Sequence, residues 1–328
     1  MKLLVTGGAG YVGSIVAKHL LGAGHEVVVL DNLERGHRDA VPSGARLVVA
    51  DLLDRGAVDE ALREDFDGVL HFAALALVAE SVSHPERYYR TNVGGTLNLL
   101  EAMHAGGVPR LVFSSTCAVY GQPDEVPISE LAPTRPESPY GASKLAVDGM
   151  ICDFCAAHGL GGVSLRYFNV AGASGELGED HEPETHLIPN VLRAALGSHP
   201  YVEIFGTDYP TPDGTAIRDY IHIDDLADAH LRALDATRPG EHQIFNLGNG
   251  SGFSVREVIE AVSAVTGREI PVREAARRPG DPPALVAASG RIRSELGWEP
   301  RKPGLEQIVA DAWAFAQAHP RGYSEQVG

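Results

Sequence analysis

A seven-residue turn near the start of the chain, Gly7-Gly8-Ala9-Gly10-Tyr11-Val12-Gly13, restricts what the remainder can fold into. It follows a short apolar run of strand length, Lys2-Leu3-Leu4-Val5-Thr6, and precedes a helix-like stretch from Ile15 to Leu21. Glycines 8, 10 and 13 fit G-x-G-x-x-G, and glycines 7, 10 and 13 fit the variant with one more residue in the first gap. Glycine here permits a tight strand-to-helix turn and lets backbone approach a pyrophosphate seated on the helix N-terminus. A glycine-rich turn alone says little. Its context gives it meaning: a strand before, a helix after, and a second strand from Glu26 to Leu30 that ends in Asp31. Asp31 stands about where a ribose-binding acid belongs, roughly 20 residues on. Its charge repels a 2′-phosphate, which favours NAD over NADP, and Arg35 is the neighbour that argues the other way.

Strand and helix signals keep alternating beyond Asp31. Leu47 to Ala50 ends in Asp51-Leu52, a natural place for contacts to an adenine ring, and Val69 to Phe72 ends in the small residues Ala73-Ala74. A long helix from about Pro85 to His104 carries Asn92. Leu111 to Thr116, a helix around Tyr140 and the strand-like Val163 to Phe168 follow. The pattern predicts an α/β fold with a doubly wound parallel sheet, whose ligands collect at the carboxyl ends of the strands. Thr6, Asp31, Asp51, Ala73, Thr116 and Asn169 all fall at such ends. After Asn169 the character changes: residues 171–185 are rich in glycine and acids and read as a loop and a domain boundary. A helix around Leu187 to Leu196, a short strand Val202 to Phe205, an irregular proline-containing stretch Asp208 to Asp213 and a helix from about Asp224 follow. The expected division is a dinucleotide-binding domain over 1–170 and a smaller α/β substrate domain over 171–328, with a strand near 243–247 able to rejoin the first sheet.

The 328 residues suffice for two units sharing a cleft, and a formal charge of −17 argues against nucleic-acid or anionic-membrane partners. Anionic ligands must then be met by local arginines, lysines and helix ends. No apolar run reaches membrane-spanning length, and a strand from the second residue leaves no room for a signal peptide. The three cysteines, Cys117, Cys152 and Cys155, suit a reducing cytoplasm. Cys152 and Cys155 match C-x-x-C but lie in a helix-like stretch with no second pair, so no metal is expected.

Tyr140-Gly-Ala-Ser-Lys144 carries the chemistry. Ser138-Pro139 reads as a helix N-cap with proline in the first turn, so Tyr140 and Lys144 share one helix face. A tyrosine has an ordinary pKa near ~10 and is a poor base. A nearby ammonium and the positive helix end favour the phenolate, which suits taking a proton from an alcohol and returning it.

These motifs, with Phe113-Ser-Ser-Thr116, Val119-Tyr120-Gly121 and Arg166-Tyr-Phe-Asn169, resemble the extended short-chain dehydrogenases/reductases. Adding Ile204-Phe205-Gly206, Asp208-Tyr-Pro-Thr211, Asp213-Gly-Thr215 and Arg218-Asp-Tyr-Ile-His222, essentially the whole chain resembles the UDP-glucose 4-epimerase family. The resemblance implies a tightly held NAD that removes hydride from C4 of a UDP-hexose and returns it to the opposite face. It implies Tyr140 as base and acid, Lys144 holding the nicotinamide ribose and tuning Tyr140, and Thr116 on the reacting oxygen. It places NAD against Gly7, Gly10, Tyr11, Val12, Gly13, Asp31, Asn32, Asp51, Leu52, Phe72, Ala73, Ala74, Asn92, Ser114 and Tyr167, besides Tyr140 and Lys144. It places the UDP-hexose against Thr116, Tyr140, Asn169, His186, Leu187, Glu203, Phe205, Arg218, Arg278 and Asp281. The two arginines would clamp the diphosphate and Asp281 the uridine ribose. It further implies a homodimer through helices at about 85–104 and 140–157.

The sequence departs from the family at Ala76, often lysine, and at His186, often a substrate-binding asparagine. Leu285 stands at a gate residue, intermediate between large and small, which leaves tolerance of N-acetylhexosamines open. A 4,6-dehydratase on the same fold would carry an Asp-Glu pair after the threonine; Cys117-Ala118 stand there instead. A net nucleotide-sugar dehydrogenase or reductase and a non-enzymatic nucleotide-binding regulator are the other readings.

Overall fold

Apolar runs buried on both faces make the central sheet of the computed structural model, which describes residues 1–278 and 280–323. β1 (Lys2–Thr6) leads through the glycine turn into α1 (Tyr11–Gly22) and β2 (Glu26–Asp31); β3 (Arg46–Val49), α2 (Arg55–Ala61) and β4 (Gly68–His71) follow. α3 (Val78–Ser83) precedes α4 (Pro85–Tyr88) and α5 (Gly95–Ala105), which are joined by a π-helical turn over Tyr89–Gly94. The helix expected over 85–104 is thus continuous but carries a π segment. Asn92 sits in it and is almost fully buried. β5 (Arg110–Thr116), α6 (Pro139–His158) and β6 (Gly161–Tyr167) complete the first run. β4 and β6 are buried along their whole lengths, as strands covered on both faces must be.

The second run comprises β7 (Asn169–Ala171), α7 (Leu187–Ala195), β8 (Val202–Phe205), β9 (Ile217–His222), α8 (Ile223–Asp235) and β10 (His242–Leu247). β11 (Gly252–Ser254), α9 (Val255–Thr266), β12 (Val272–Ala275), β13 (Ala284–Leu285), α10 (Gly290–Leu296) and α11 (Leu305–Ala318) end it. Among the described residues no helix is long and apolar enough to cross a membrane.

Seven parallel strands in the order β10-β6-β5-β4-β1-β2-β3 form the main sheet. The order reverses on either side of β1, so a crevice opens at the carboxyl ends of β1 and β4. One face is covered by α1 and α8, with Trp298 and Phe315 in the same core; the other by α2, α5 and α6, through Val58, Leu99, Met103, Val147 and Ile151. Although they lie past residue 170, α8 and β10 belong to this first core, and β10 pairs with β6 from His242↔Gly162 to Leu247↔Tyr167. In the second lobe α7, α9 and α11 enclose a separate core. There β9 pairs with β7, β11 and β13, while β8 pairs with β12.

Candidate active site

The glycine turn is fixed by its own packing at two positions and leaves space at a third. Gly7 has φ +69°, and a Cβ there would lie 2.5 Å from the Ala73 amide nitrogen; a Cβ on Gly13 would lie 2.2 Å from the Gly7 carbonyl oxygen. Gly10 is different, since its Cβ would meet only the Gly7 oxygen, at 3.4 Å. The space in front of Gly10 opens onto the start of α1. The amides of Tyr11, Val12 and Gly13 have no helical carbonyl behind them, and Ser14 N, on Gly10 O at 2.9 Å, closes the first helical bond. A bare helix N-terminus beside an open cradle fits a pyrophosphate. Tyr11 offers only its backbone to this cradle, because its phenol donates to Gly172 O at 2.7 Å.

Asp31 ends β2 with its carboxylate accepting from Ala9 N (3.0 Å) and Leu33 N (2.8 Å). Burial raises its pKa, and those two bonds oppose the rise. Asn32 donates to Asp51 (2.9 Å), which also accepts from Leu53 N (2.8 Å), so the ends of β2 and β3 form one polar shelf. Leu52 is buried beneath Gly95. Arg35 is engaged by Glu80 at 3.6 Å and by the Glu182 carbonyl, which removes the main argument for a 2′-phosphate. Across the crevice, Phe72 packs on His230 and leads into Ala73 and Ala74. A buried relay lies below: Thr6 to His71 at 2.6 Å and His71 to Thr96 at 2.8 Å, the imidazole held neutral by burial with its pKa near 3.

Asn92 is held by bonds within the protein. Its amide donates to Leu75 O and to Ser143 Oγ, both at 3.0 Å, and its oxygen accepts from Leu75 N at 2.8 Å. Both donor hydrogens are spent within the protein, tying the loop after β4 to α6 beside Lys144.

Ser138 Oγ accepts from Gly141 N at 3.2 Å and Pro139 occupies the first turn of α6, as the sequence predicts. A Cβ on Gly141 would come within 2.5 Å of Ala118 O, so α6 packs hard on the turn that follows β5. Thr116 Oγ1 accepts from Ala118 N at 3.1 Å, which leaves its hydrogen to donate. That hydroxyl favours the ionised form of the Tyr140 phenol, yet the loss of water around the ring acts more strongly and pushes the phenol up to about 12. Lys144, 3% exposed, donates to Ser114 O at 2.7 Å with its ammonium 4.7 Å from the Phe113 ring centroid. Burial pulls it down to about 7, against the charge of Asp148. In the protein alone, loss of water works against the tuning of Tyr140 by Lys144 that the sequence suggests. Desolvation dominates both groups and favours the neutral form of each. Tyr167, beside Ser114, shares its phenol with His230, and burial raises it strongly.

The sequence reading also missed a buried brace behind the pair. Arg166 bonds Asp148 at 2.9 Å and Tyr120 at 3.0 Å, and Tyr120 donates to Asn246 at 2.7 Å, linking α6, β6 and β10.

The facing wall comes from the second lobe. Arg218 pairs with Asp281, and its charge is felt at the buried Cys117 thiol next to Thr116. Asp219 does not engage Arg218 but accepts backbone N–H from Asn249, Gly250 and Ala287. Arg278 lies 4.0 Å over the Phe205 ring, and Glu203 is exposed on the same strand. Arg277, unremarked in the sequence, pairs with Asp208 at 2.6 Å and covers Tyr209. Leu285 is in register with Arg218 and packs beside Tyr120 and Phe168. Asn169 faces Tyr220 at the start of β7. Leu187 opens α7, while His186 before it holds Glu179 (2.7 Å) and Glu184 (3.0 Å) through Nδ1.

The model of the NAD dependent epimerase/dehydratase family matches residues 3–248. A UDP-glucose 4-epimerase of Streptomyces lividans is 58% identical over 328 residues, covering 99% of both chains. The crystal structure of a UDP-glucose 4-epimerase from Brucella ovis in complex with NAD superposes with a TM-score of 0.92 at 45% identity, over 96% of this chain and 98% of that one. That of Bifidobacterium longum in complex with NAD+ and UDP gives 0.93 at 36% identity, over 98% and 100%. The glycine cradle, the Tyr140–Thr116–Lys144 cluster and the arginine-bearing wall all fall within these matches. The chain belongs to the NAD-dependent epimerase/dehydratase family and, within it, to the UDP-glucose 4-epimerases.

Proposed function

We propose that the chain interconverts UDP-glucose and UDP-galactose through transient oxidation at C4 to a 4-keto sugar. The observation that carries this reading is the half-buried Tyr140 phenol beside Thr116, one helical turn from the buried Lys144, in a dinucleotide-binding sheet, with the Arg218 charge reaching the neighbouring Cys117 thiol. Bound NAD supplies the hydride acceptor at C4 and its donor in the return step. Tyr140 takes the C4 hydroxyl proton and gives it back, so it serves as base and then acid within one turnover. Thr116 shares the reacting oxygen. Lys144 holds the nicotinamide ribose, and in its ammonium form it offsets the cost of forming a buried phenolate. Gly7, Gly10, Gly13 and the backbone of Tyr11 and Val12 hold the pyrophosphate. Asp31 and Asn32 take the adenosine ribose, Asp51 and Leu52 the adenine, and Phe72, Ala73, Ala74, Ser114 and Tyr167 line the inner half.

Arg218 and Arg278 clamp the substrate diphosphate, as a protein of charge −17 requires. Asp281 accepts from the uridine ribose and the backbone near Glu203 and Phe205 meets the uracil. Asn169, His186 and Leu187 border the sugar phosphate and Leu285 gates the hexose. Residues 1–170 with the returning α8 and β10 form the NAD-binding unit, and the rest of 171–328 the nucleotide-sugar unit. A homodimer through α5 and α6 suits the exposed Tyr89 and Leu97. Free Cys117, Cys152 and Cys155 suit a cytoplasmic location.

Purified protein should convert UDP-galactose to UDP-glucose with no added nucleotide and release about one NAD per chain on denaturation. Tyr140→Phe should keep that NAD and lose about 1000-fold in kcat. Holding NAD without interconverting the sugars would sink the proposal. Running the N-acetylhexosamine counterpart alongside reads the gate at Leu285.

A further inference from the structure

The loop that leads into α7 brings together four side chains of metal-ligating type: Glu179, His181, Glu184 and His186. One donor atom from each lies within 4.8 Å of every other. The carboxylates are sequestered, their side chains being 8% and 1% exposed for Glu179 and Glu184. Two buried carboxylates this close need about two positive charges to balance them. Either both imidazoles are protonated or a divalent ion sits between neutral imidazoles and the carboxylates.

The two alternatives leave different bonds unmade. As hydrogen-bond partners alone, the four groups satisfy His186 Nδ1 but leave two atoms stranded. Glu184 Oε2 and His181 Nδ1, 3.8 Å apart, are both buried and have no hydrogen-bond partner among the described residues. An ion between them satisfies both. With Glu179 Oε1, Glu184 Oε2 and the two Nδ1 atoms as donors, the separations are 2.7 Å (Glu179–His186), 3.2 Å (Glu179–His181) and 3.8 Å (Glu184–His181), while Glu184 Oε1 stands 3.0 Å from His186. The first three bracket the ~3.3 Å edge of a tetrahedron whose ligands stand about 2.0–2.1 Å from a zinc-like ion. The donors are also oriented from behind. Glu184 Oε1 accepts from Thr185 N (2.7 Å) and His186 N (2.8 Å), and the His181 carbonyl takes Arg193 at 3.4 Å. Two imidazole nitrogens with two carboxylates suit a divalent transition ion better than calcium or magnesium.

We propose that Glu179, His181, Glu184 and His186 bind one divalent transition-metal ion of the zinc type. The ion clamps residues 179–186 into a fixed turn at the start of α7. It is a structural ion: Tyr140, Thr116 and Lys144 take no part in it, and of its ligands only His186 borders the substrate. The site contains no cysteine.

The test uses tag-free full-length protein carrying its NAD, freed of metal by a chelator and titrated with Zn2+ by calorimetry. One equivalent should bind and raise the melting temperature, and Co2+ in its place should give a visible spectrum without thiolate charge transfer. His181→Ala and Glu184→Gln should each weaken Zn2+ binding by about 100-fold with NAD content unchanged. Glutamine keeps the oxygen that accepts Thr185 N and His186 N, so a folded variant is expected. Wild-type protein that binds no stoichiometric Zn2+ overturns the proposal. So does Zn2+ binding that survives both substitutions, or a cobalt spectrum with thiolate character, which would point to Cys152 and Cys155.

Discussion

Along the cofactor wall, Gly7 to Asp31 deliver the turn, the helix end and the ribose acid within one strand–helix–strand unit. On the facing wall, Glu203 and Phe205, Arg218, and Arg278 and Asp281 arrive from three separate segments. The β8–β12 and β9–β13 pairings anchor the two ends of the segment that carries Arg278 and Asp281. The first wall obeys local sterics: a Cβ on Gly7 or Gly13 collides with backbone less than 3 Å away. The second depends on charge pairs, such as Arg218 with Asp281 and Arg277 with Asp208, that no short motif specifies. Substitutions on the first wall should therefore divide sharply into those that break the fold and those that only exclude the ligand. On the second they should give graded losses of affinity.

The sharpest break concerns Gly10. A valine there places methyl groups in front of α1, where the protein itself offers no clash to its Cβ. Intruding on a tightly fitted site costs about 1–3 kcal/mol. Gly10→Val should thus bind NAD roughly 100-fold more weakly, measured by retained nucleotide and titration, with unchanged circular dichroism. Gly13→Ala should instead lose soluble folded protein, because its Cβ has 2.2 Å to the Gly7 oxygen. If the two variants behave alike, the distinction between packing glycine and ligand glycine fails.

What could be read in advance follows the same division. The strand ends at Thr6, Asp31 and Thr116 and the cap at Ser138 are visible because each depends on neighbours a few residues away. β12 escapes notice because its residues are mostly exposed and show no alternation, and β13 spans only two residues. The bracing role of Asn92, the Arg166–Asp148 pair and the cluster at 179–186 depend on contacts between distant segments or on a loop's path. The protonation balance of Tyr140 and Lys144 is illegible for another reason. Charge neighbours can be named from the sequence, whereas the loss of water around them cannot.

Graded behaviour is expected at Arg218. Arg218→Ala should raise KM for UDP-glucose by about 30-fold with a smaller change in kcat, since the arginine binds ground state and transition state alike. Arg218→Lys should recover only part, because a point charge lacks the guanidinium fork. Arg278→Ala should cost less than Arg218→Ala, its guanidinium being spread over Phe205 in an exposed loop. Equal losses at the two arginines would show that the Asp281 pairing does not set their ranking.

The smallest effect lies between the walls, at Lys144, and it separates desolvation from charge pairing. Its pKa in the folded chain is lowered to about 7, while in the unfolded chain it keeps the ordinary 10.5. Between those values the unfolded state binds the extra proton, so stability must rise with pH through that window and fall as pH drops toward 7. Lys144→Met removes this titration and keeps the bulk. Each pK unit corresponds to about 1.4 kcal/mol. In NAD-stripped protein unfolded by urea, the wild type should therefore gain about 2 kcal/mol over the variant between pH 7 and 9. The lost bond to Ser114 O shifts the whole comparison by a constant amount and leaves its slope intact. A difference independent of pH would mean that the ammonium stays compensated in the folded chain. Lys144 would then be a standing charge able to lower the Tyr140 phenol directly, as its position one helical turn away first suggests.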